Sequence, residues 1–286
     1  MKRADQPFRS ENQIMPTRKK QTGDDAADGG ENLRIEEVHA CTEMVLPPAL
    51  QGEAEMVALD ERADNAQARN SGPPGTGGDG ARLAGLKGKL WKPGRTLRVR
   101  FLDNPPPRVR EQIEKYAHQW EHYANIKFSF GTDPNAEIRI TCTPGQGSWS
   151  YLGTDALTIS RSKPTMNYGW FTEQTAESEF SRTTLHEFGH ALGFIHEHMS
   201  PAGNIPWNRP AAYRYYMSTQ GWTKEQVDSQ LFGKYAASQT NASAYDPTSI
   251  MHYPVPRQLT NGGFEVGWNT ELSERDKTFT RQLYPA

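Results

Sequence analysis

The chain has 286 residues, 35% hydrophobic and 23% charged, with a formal net charge of −2. No run approaches the ~20 consecutive apolar residues that a spanning helix needs. The near-zero charge gives no electrostatic footing for nucleic acid or an anionic surface, so neither membrane nor nucleic acid is an expected partner. Two cysteines, Cys41 and Cys142, allow at most one bridge, which excludes a disulfide-stapled mini-fold and leaves the redox compartment open.

The charge is uneven along the chain. Residues 1–80 carry 15 acidic and 9 basic side chains, against 19 and 23 in the remainder. This first part closes on Gly72, Pro73, Pro74, Gly75, Gly77 and Gly78 and offers little apolar surface to offset its ordering entropy. Residues 1–85 therefore read as a low-complexity, pro-like segment, mostly disordered or loosely docked. Its one cohesive patch is Val38–Leu50, which contains Cys41. The basic and acidic start has no apolar core of ~7–15 residues and is not a standard secretory signal, so export, if it occurs, would use another route or a part of the gene missing here.

Residues 86–286 read as one folded domain. Leu97, Val99 and Phe101 alternate with Arg98 and Arg100, the period of a half-buried strand, and Pro105–Pro107 stop it. Ile113, Tyr116, Ala117, Trp120 and Tyr123 then recur at helical spacing. Phe128 with Phe130, Ile138 with Ile140, and Leu157 with Ile159 predict three more short strands. Thr223 and Gln226 form a capping box for a helix carrying Val227 and Leu231, and Ser273 starts a last helix carrying Phe279 and Leu283. Asn241 with Ser243 is a glycosylation sequon, meaningful only after passage through a secretory pathway.

The chemistry concentrates in the run from Thr184 to His198. On a helix His186 and His190 lie one turn apart on one face, so two imidazoles can meet one ion. Glu187 sits one residue on, where it can reach a water at the metal without ligating the metal. If the helix continued, six residues at ~100° each would carry His196 about 240° away from His190. The helix is therefore predicted to stop at or near Gly193, the residue that tolerates a left-handed turn, so that a third imidazole can return to the ion. An ion held by three neutral imidazoles keeps its charge and acidifies a water toward a pKa of ~7, with Glu187 as general base. His198 lies beyond this frame and reads as a surface or supporting residue.

These residues resemble the astacin family of metzincin zinc endopeptidases. The resemblance spans Leu90–Pro285 and is carried by His186, Glu187, His190, Gly193 and His196, by Glu197, and by Ser249–Tyr253, which match the family's Met-turn. It implies an α+β, two-lobed catalytic domain with a small mixed sheet, an active-site helix and a C-terminal helix. It also implies one zinc ion per chain, a protein or peptide substrate, extracellular action, and a single chain working as a monomer. By the same resemblance Met251 lies beneath the metal, Tyr253 is an additional zinc ligand, and Glu197 receives the amino terminus exposed when a pro-segment is removed. Tyr253, if it swings off the zinc, can donate to the oxyanion.

In the resembled family a strand at the cleft pairs with the substrate backbone, and residues 148–159 are the candidate here. Arg257 would favour an acidic side chain near the scissile bond. Cys41, a thiol in the pro-like segment, could occupy the metal's open position and keep the enzyme latent, as in some metzincins. The family's usual pro-segment aspartate has only a faint counterpart in Gly23–Asp24. The domain departs from the family in carrying only Cys142, which rules out an internal disulfide. The rival readings are a zinc-bearing interaction module without turnover, and a non-astacin metzincin in which Tyr253 does not approach the metal.

Overall fold

The computed structural model describes residues 39–69, 88–237, 240 and 244–286. The Asn241 sequon and the Gly23–Asp24 pair lie outside them. Five strands form one mixed sheet: β1 (Arg95–Phe101), β2 (Ile126–Phe130), β3 (Ile138–Thr141), β4 (Ser148–Ser150) and β5 (Met166–Tyr168), in the order β2-β1-β3-β5-β4. The first four in that order run parallel, and β4 closes the edge antiparallel to β5, with Trp149 opposite Asn167. Alternation puts Leu97, Val99, Ile126, Phe128, Ile138 and Ile140 in the core.

Two helices cover that sheet, α2 (Pro107–Ala117) and α3 (Glu177–Ala191). The three prolines both stop β1 and start α2: Pro106 caps it and Pro107 occupies its first turn, where a missing N–H costs nothing. Val109, Ile113 and Tyr116 of α2 and Phe180, Leu185 and Phe188 of α3 share one core with the sheet, and Phe188 meets Phe128 edge-to-face at 4.9 Å. This layer holds the face of α3 that carries the histidines at a fixed height above the sheet edge.

The C-terminal half is built from short helices. Those after α3 are α4 (Arg209–Thr219), α5 (Lys224–Val227) and α6 (Glu274–Leu283). The predicted capping box of Thr223 with Gln226 forms at α5, and Ser273, expected to start the last helix, makes a second one with Asp276 at α6. Helix α5 is only one turn long and widens into a π-helical turn over Asp228–Phe232.

Two expectations need correction. Leu157 and Ile159 do not form a strand: Gly153–Leu157 is a 3-10 turn, and the Ile159 carbonyl accepts from the buried Arg139 guanidinium at 2.9 Å. A three-residue alternation does not distinguish a strand from a turn whose carbonyls satisfy an arginine. Within the pro-like segment, residues 39–69 are docked firmly on the domain, with a first helix, α1 (Pro48–Glu61), of which only Ala54 and Ala58 are buried.

Ala40, Cys41 and Leu46 are buried ahead of α1, but the fastening after it is polar and so does not register in the apolar pattern. Asn65 donates to the Ala58 and Leu90 carbonyls at 2.7 and 2.9 Å and accepts from the Leu90 N–H at 3.1 Å. Arg62 donates to the Leu283 carbonyl at 2.8 Å. Among the described residues no helix is long and apolar enough to cross a membrane.

Candidate active site

Helix α3 ends at Ala191, and Gly193 follows with φ +92°. The Gly193 N–H donates to the His190 carbonyl at 2.8 Å and the Phe194 N–H to the Gly189 carbonyl at 3.0 Å, the paired bonds that close a helix through a left-handed glycine. The chain therefore reverses where the spacing of the histidines requires it to.

The reversal brings His186, His190 and His196 together with Cys41: one donor atom from each lies within 4.8 Å of all the others, and all four residues are buried. The His186 and His190 Nδ1 atoms bond to the Ile250 and Phe194 carbonyls at 2.8 and 2.7 Å. Each carbonyl accepts from the Nδ1–H and so turns Nε2 inward as a lone-pair donor. His190 Nε2 and His196 Nε2 stand 3.1 Å apart, and His186 Nε2 is buried with no hydrogen-bond partner. Two ligands of a tetrahedral zinc at ~2.0–2.1 Å would be about 3.3 Å apart, so this spacing fits.

Protonation fits as well. Burial pushes His190 down to about 4 and holds His186 and His196 well below their ordinary range, so all three are neutral at pH 7, as ligation requires. Three imidazoles and a sulfur are a donor set suited to zinc.

The floor of the site is the Ser249–Tyr253 turn. The fully buried Met251 sulfur packs against α3 so closely that a Cβ at Gly189 would collide with it. Asp276, at the start of α6, organises this turn, accepting from the Ser249 hydroxyl and the Ile250 N–H, both at 2.8 Å. One carboxylate thus caps α6 and aims the Ile250 carbonyl at His186. The helix start at Ser273 was legible in the sequence; the reach of Asp276 back to residues 249–250 carried no local signal.

Glu187 is fully buried, and neither of its oxygens has a hydrogen-bond partner of ordinary geometry. Burial pushes it up to about 8, against the downward pull of the neighbouring Cys41 thiol and the Arg182 charge. Burial, and then the Glu187 charge, hold Cys41 well above the usual thiol range. A cation among these groups is what would favour both anions. The Tyr253 ring lies tilted against His196, with ring centres 4.3 Å apart, and its hydroxyl donates to the Cys41 carbonyl. In this arrangement the phenol grips the covering strand.

His198 is completely buried and so is no surface residue. Its ring stacks on Tyr253 at 4.5 Å, and its Nε2 donates to the Gln230 carbonyl at 2.8 Å. Glu197 is buried beside it and accepts from the Asp246 N–H at 2.9 Å. Arg257 is turned to Glu265, at 3.2 Å through two nitrogens, which neutralises the charge expected to select an acidic substrate. Gln230 and Tyr235 hold the covering strand at Glu43; these residues had no motif to mark them, because only folding brings residues 187 positions apart into contact.

The fold and the site together define a zinc metalloendopeptidase: an α+β domain with a small mixed sheet, a histidine helix ended by a glycine turn, and a methionine turn beneath a metal-binding cluster. The chain belongs to the astacin family of peptidases, whose family model it matches over residues 85–264. It is similar to two solved structures of myroilysin. One shares 46% identity at a TM-score of 0.69, covering 71% of this chain and 98% of that one. The other shares 41% identity at a TM-score of 0.56, covering 86% of this chain and 100% of that one. No curated protein gives a match. As a member of this family the chain uses zinc and acts on protein or peptide substrates.

Proposed function

We propose that the chain is a latent endopeptidase that works as a monomer, with residues 1–85 as a pro-segment and 86–286 as the catalytic domain. His186, His190 and His196 hold one zinc ion, and Cys41 takes its fourth position until the segment leaves. The observation that carries this reading is the convergence of these four donor atoms within 4.8 Å. Zinc, when bound, supplies a Lewis acid that acidifies a water and polarises a peptide carbonyl.

The chain's own residues do the rest. Glu187 takes the proton from the attacking water and returns it to the leaving amine, a role supported by its complete burial beside the cluster. Tyr253, released from the Cys41 carbonyl, becomes free to turn toward the metal or to donate to the oxyanion. Met251 supports the histidine helix from below. Glu197 receives the amino terminus exposed by maturation, supported by its burial next to His196.

The test is cleavage of a generic unfolded protein by zinc-loaded full-length chain, by the same chain after limited proteolysis, and by Cys41→Ser. Wild type should be inactive until nicked, Cys41→Ser should be active earlier, and a chelator should abolish both activities. Zinc binding without cleavage in any of the three would instead favour the interaction module.

A further inference from the structure

The covering strand is gripped from two sides in a way that extends beyond its own latency. In an extended chain successive residues present their N–H and C=O groups to opposite sides. Thr42 and Met44 face the sheet: the Thr42 N–H donates to the Ser148 carbonyl at 3.2 Å, and Met44 bridges Tyr151 in parallel. Cys41 and Glu43 face the other way, where there is no strand. There Tyr253 donates to the Cys41 carbonyl, and the Gln230 carboxamide takes both backbone groups of Glu43. Its Oε1 accepts from the Glu43 N–H at 3.0 Å, and its Nε2 donates to the Glu43 carbonyl at 3.3 Å. Tyr235 completes the grip by donating to the Glu43 carboxylate.

Gln230 is placed with care. It sits inside the π-helical turn, a distortion concentrated at functional sites, and its own carbonyl is held by His198, which stacks on Tyr253. The Tyr235 N–H bonds to the Met199 carbonyl at 3.0 Å, so both residues of the clamp are tied to the segment that follows His196.

We propose, building on the endopeptidase reading, that Gln230 and Tyr235 form the second wall of the substrate cleft. Gln230 binds the backbone of one residue of an extended substrate, on the side opposite β4, and Tyr235 donates to an acceptor on that residue's side chain. The chemistry suits a site that must first hold a pro-segment and then a substrate. Reversing a strand exchanges the positions of a residue's N–H and C=O. A strand edge meets that exchange only by changing its hydrogen-bond pattern and register, whereas a carboxamide meets it in place, by turning over and swapping its donor with its acceptor. The same side chain therefore serves an occupant running in either direction.

Two measurements on the zinc-loaded full chain and its matured form test this. In the full chain, Gln230→Leu should speed hydrogen exchange at the Glu43 amide about tenfold, with Thr42, bonded to the sheet, much less affected. In the matured enzyme the variant should raise KM about tenfold with kcat nearly unchanged. N-methylation scanned along a cleaved peptide should find one position where the methyl group raises KM in wild type but adds nothing in Gln230→Leu. A position sensitive in both proteins belongs to β4. Unchanged Glu43 exchange, or methyl effects that are the same at every position in both proteins, would overturn the clamp. A matured wild type that cleaves no peptide would sink the endopeptidase reading instead, while the exchange measurement still decides whether Gln230 grips the pro-segment.

Discussion

The floor of the cleft and the strand that covers it are both buried, but they are held by different means. The floor is continuous architecture: α3 packs on the sheet, a glycine turn returns the chain, and backbone carbonyls of Ile250 and Phe194 orient the imidazoles. The strand at residues 39–46 is held by side chains reaching across to it, from Gln230, Tyr235 and Tyr253, by two sheet-edge contacts at Thr42 and Met44, and by the burial of Ala40 and Cys41. Backbone-anchored parts persist through a working cycle, whereas a strand held by a few separable hydrogen bonds can leave. The comparison teaches that the metal site belongs to the domain, and that the closure belongs to the segment before it.

The largest expected effect lies in the floor. Glu187→Ala should lower turnover by about a thousandfold or more while zinc stays bound, read by steady-state kinetics beside metal analysis. Wild-type turnover in that variant would remove Glu187 from the mechanism.

Next is acid sensitivity. His252 is buried; its Nδ1 donates to the Tyr253 carbonyl at 2.5 Å, a bond that favours the charged ring, and its Nε2 meets the Tyr245 hydroxyl at 2.6 Å. Burial pushes it down to about 4 from 6.5. Its folded value is depressed, so the unfolded chain takes up the proton first, and the stabilisation present above pH 6.5 is lost as pH falls toward 4. Relative to His252→Gln, wild type should lose roughly 3 kcal/mol between pH 7 and 4 in denaturant titrations. Parallel pH profiles would show that His252 is not held neutral.

Gly189→Ala sharpens the comparison from the packing side. The added methyl meets the Met251 sulfur and should cost about 1–3 kcal/mol, seen as a lower Tm together with weaker zinc binding. No change in either would mean that the floor yields easily. The smallest effect belongs to the cover. Asn65→Ala leaves both Leu90 backbone groups without their partner and should weaken docking of residues 39–69 by about 1–2 kcal/mol. Faster proteolysis of that segment, with the domain's own Tm unmoved, is the expected readout. Loss of the whole fold would make the segment part of the floor.

The division also explains what the sequence revealed. The histidine helix, its end at Gly193, the strands around Leu97, Phe128 and Ile138, the Thr223 capping box and the helix start at Ser273 were legible because each rests on local spacing. The Leu157–Ile159 reading failed because three residues carry too little periodicity. Helix α1 was missed because its fastening depends on Asn65 and Arg62, whose partners at Leu90 and Leu283 are remote. Glu43 and Gln230 stayed invisible for the same reason, since a pairing across the cleft leaves no trace in either neighbourhood.

The account turns on one point in space shared by three imidazoles and a thiol. X-ray absorption at the zinc edge, on full chain and on matured enzyme, reads that point directly. In the full chain it should find three nitrogen scatterers at about 2.0–2.1 Å and one sulfur at about 2.3 Å, with the sulfur replaced by oxygen after maturation. A full chain whose zinc shows no sulfur neighbour, or fewer than three imidazoles, would contradict it.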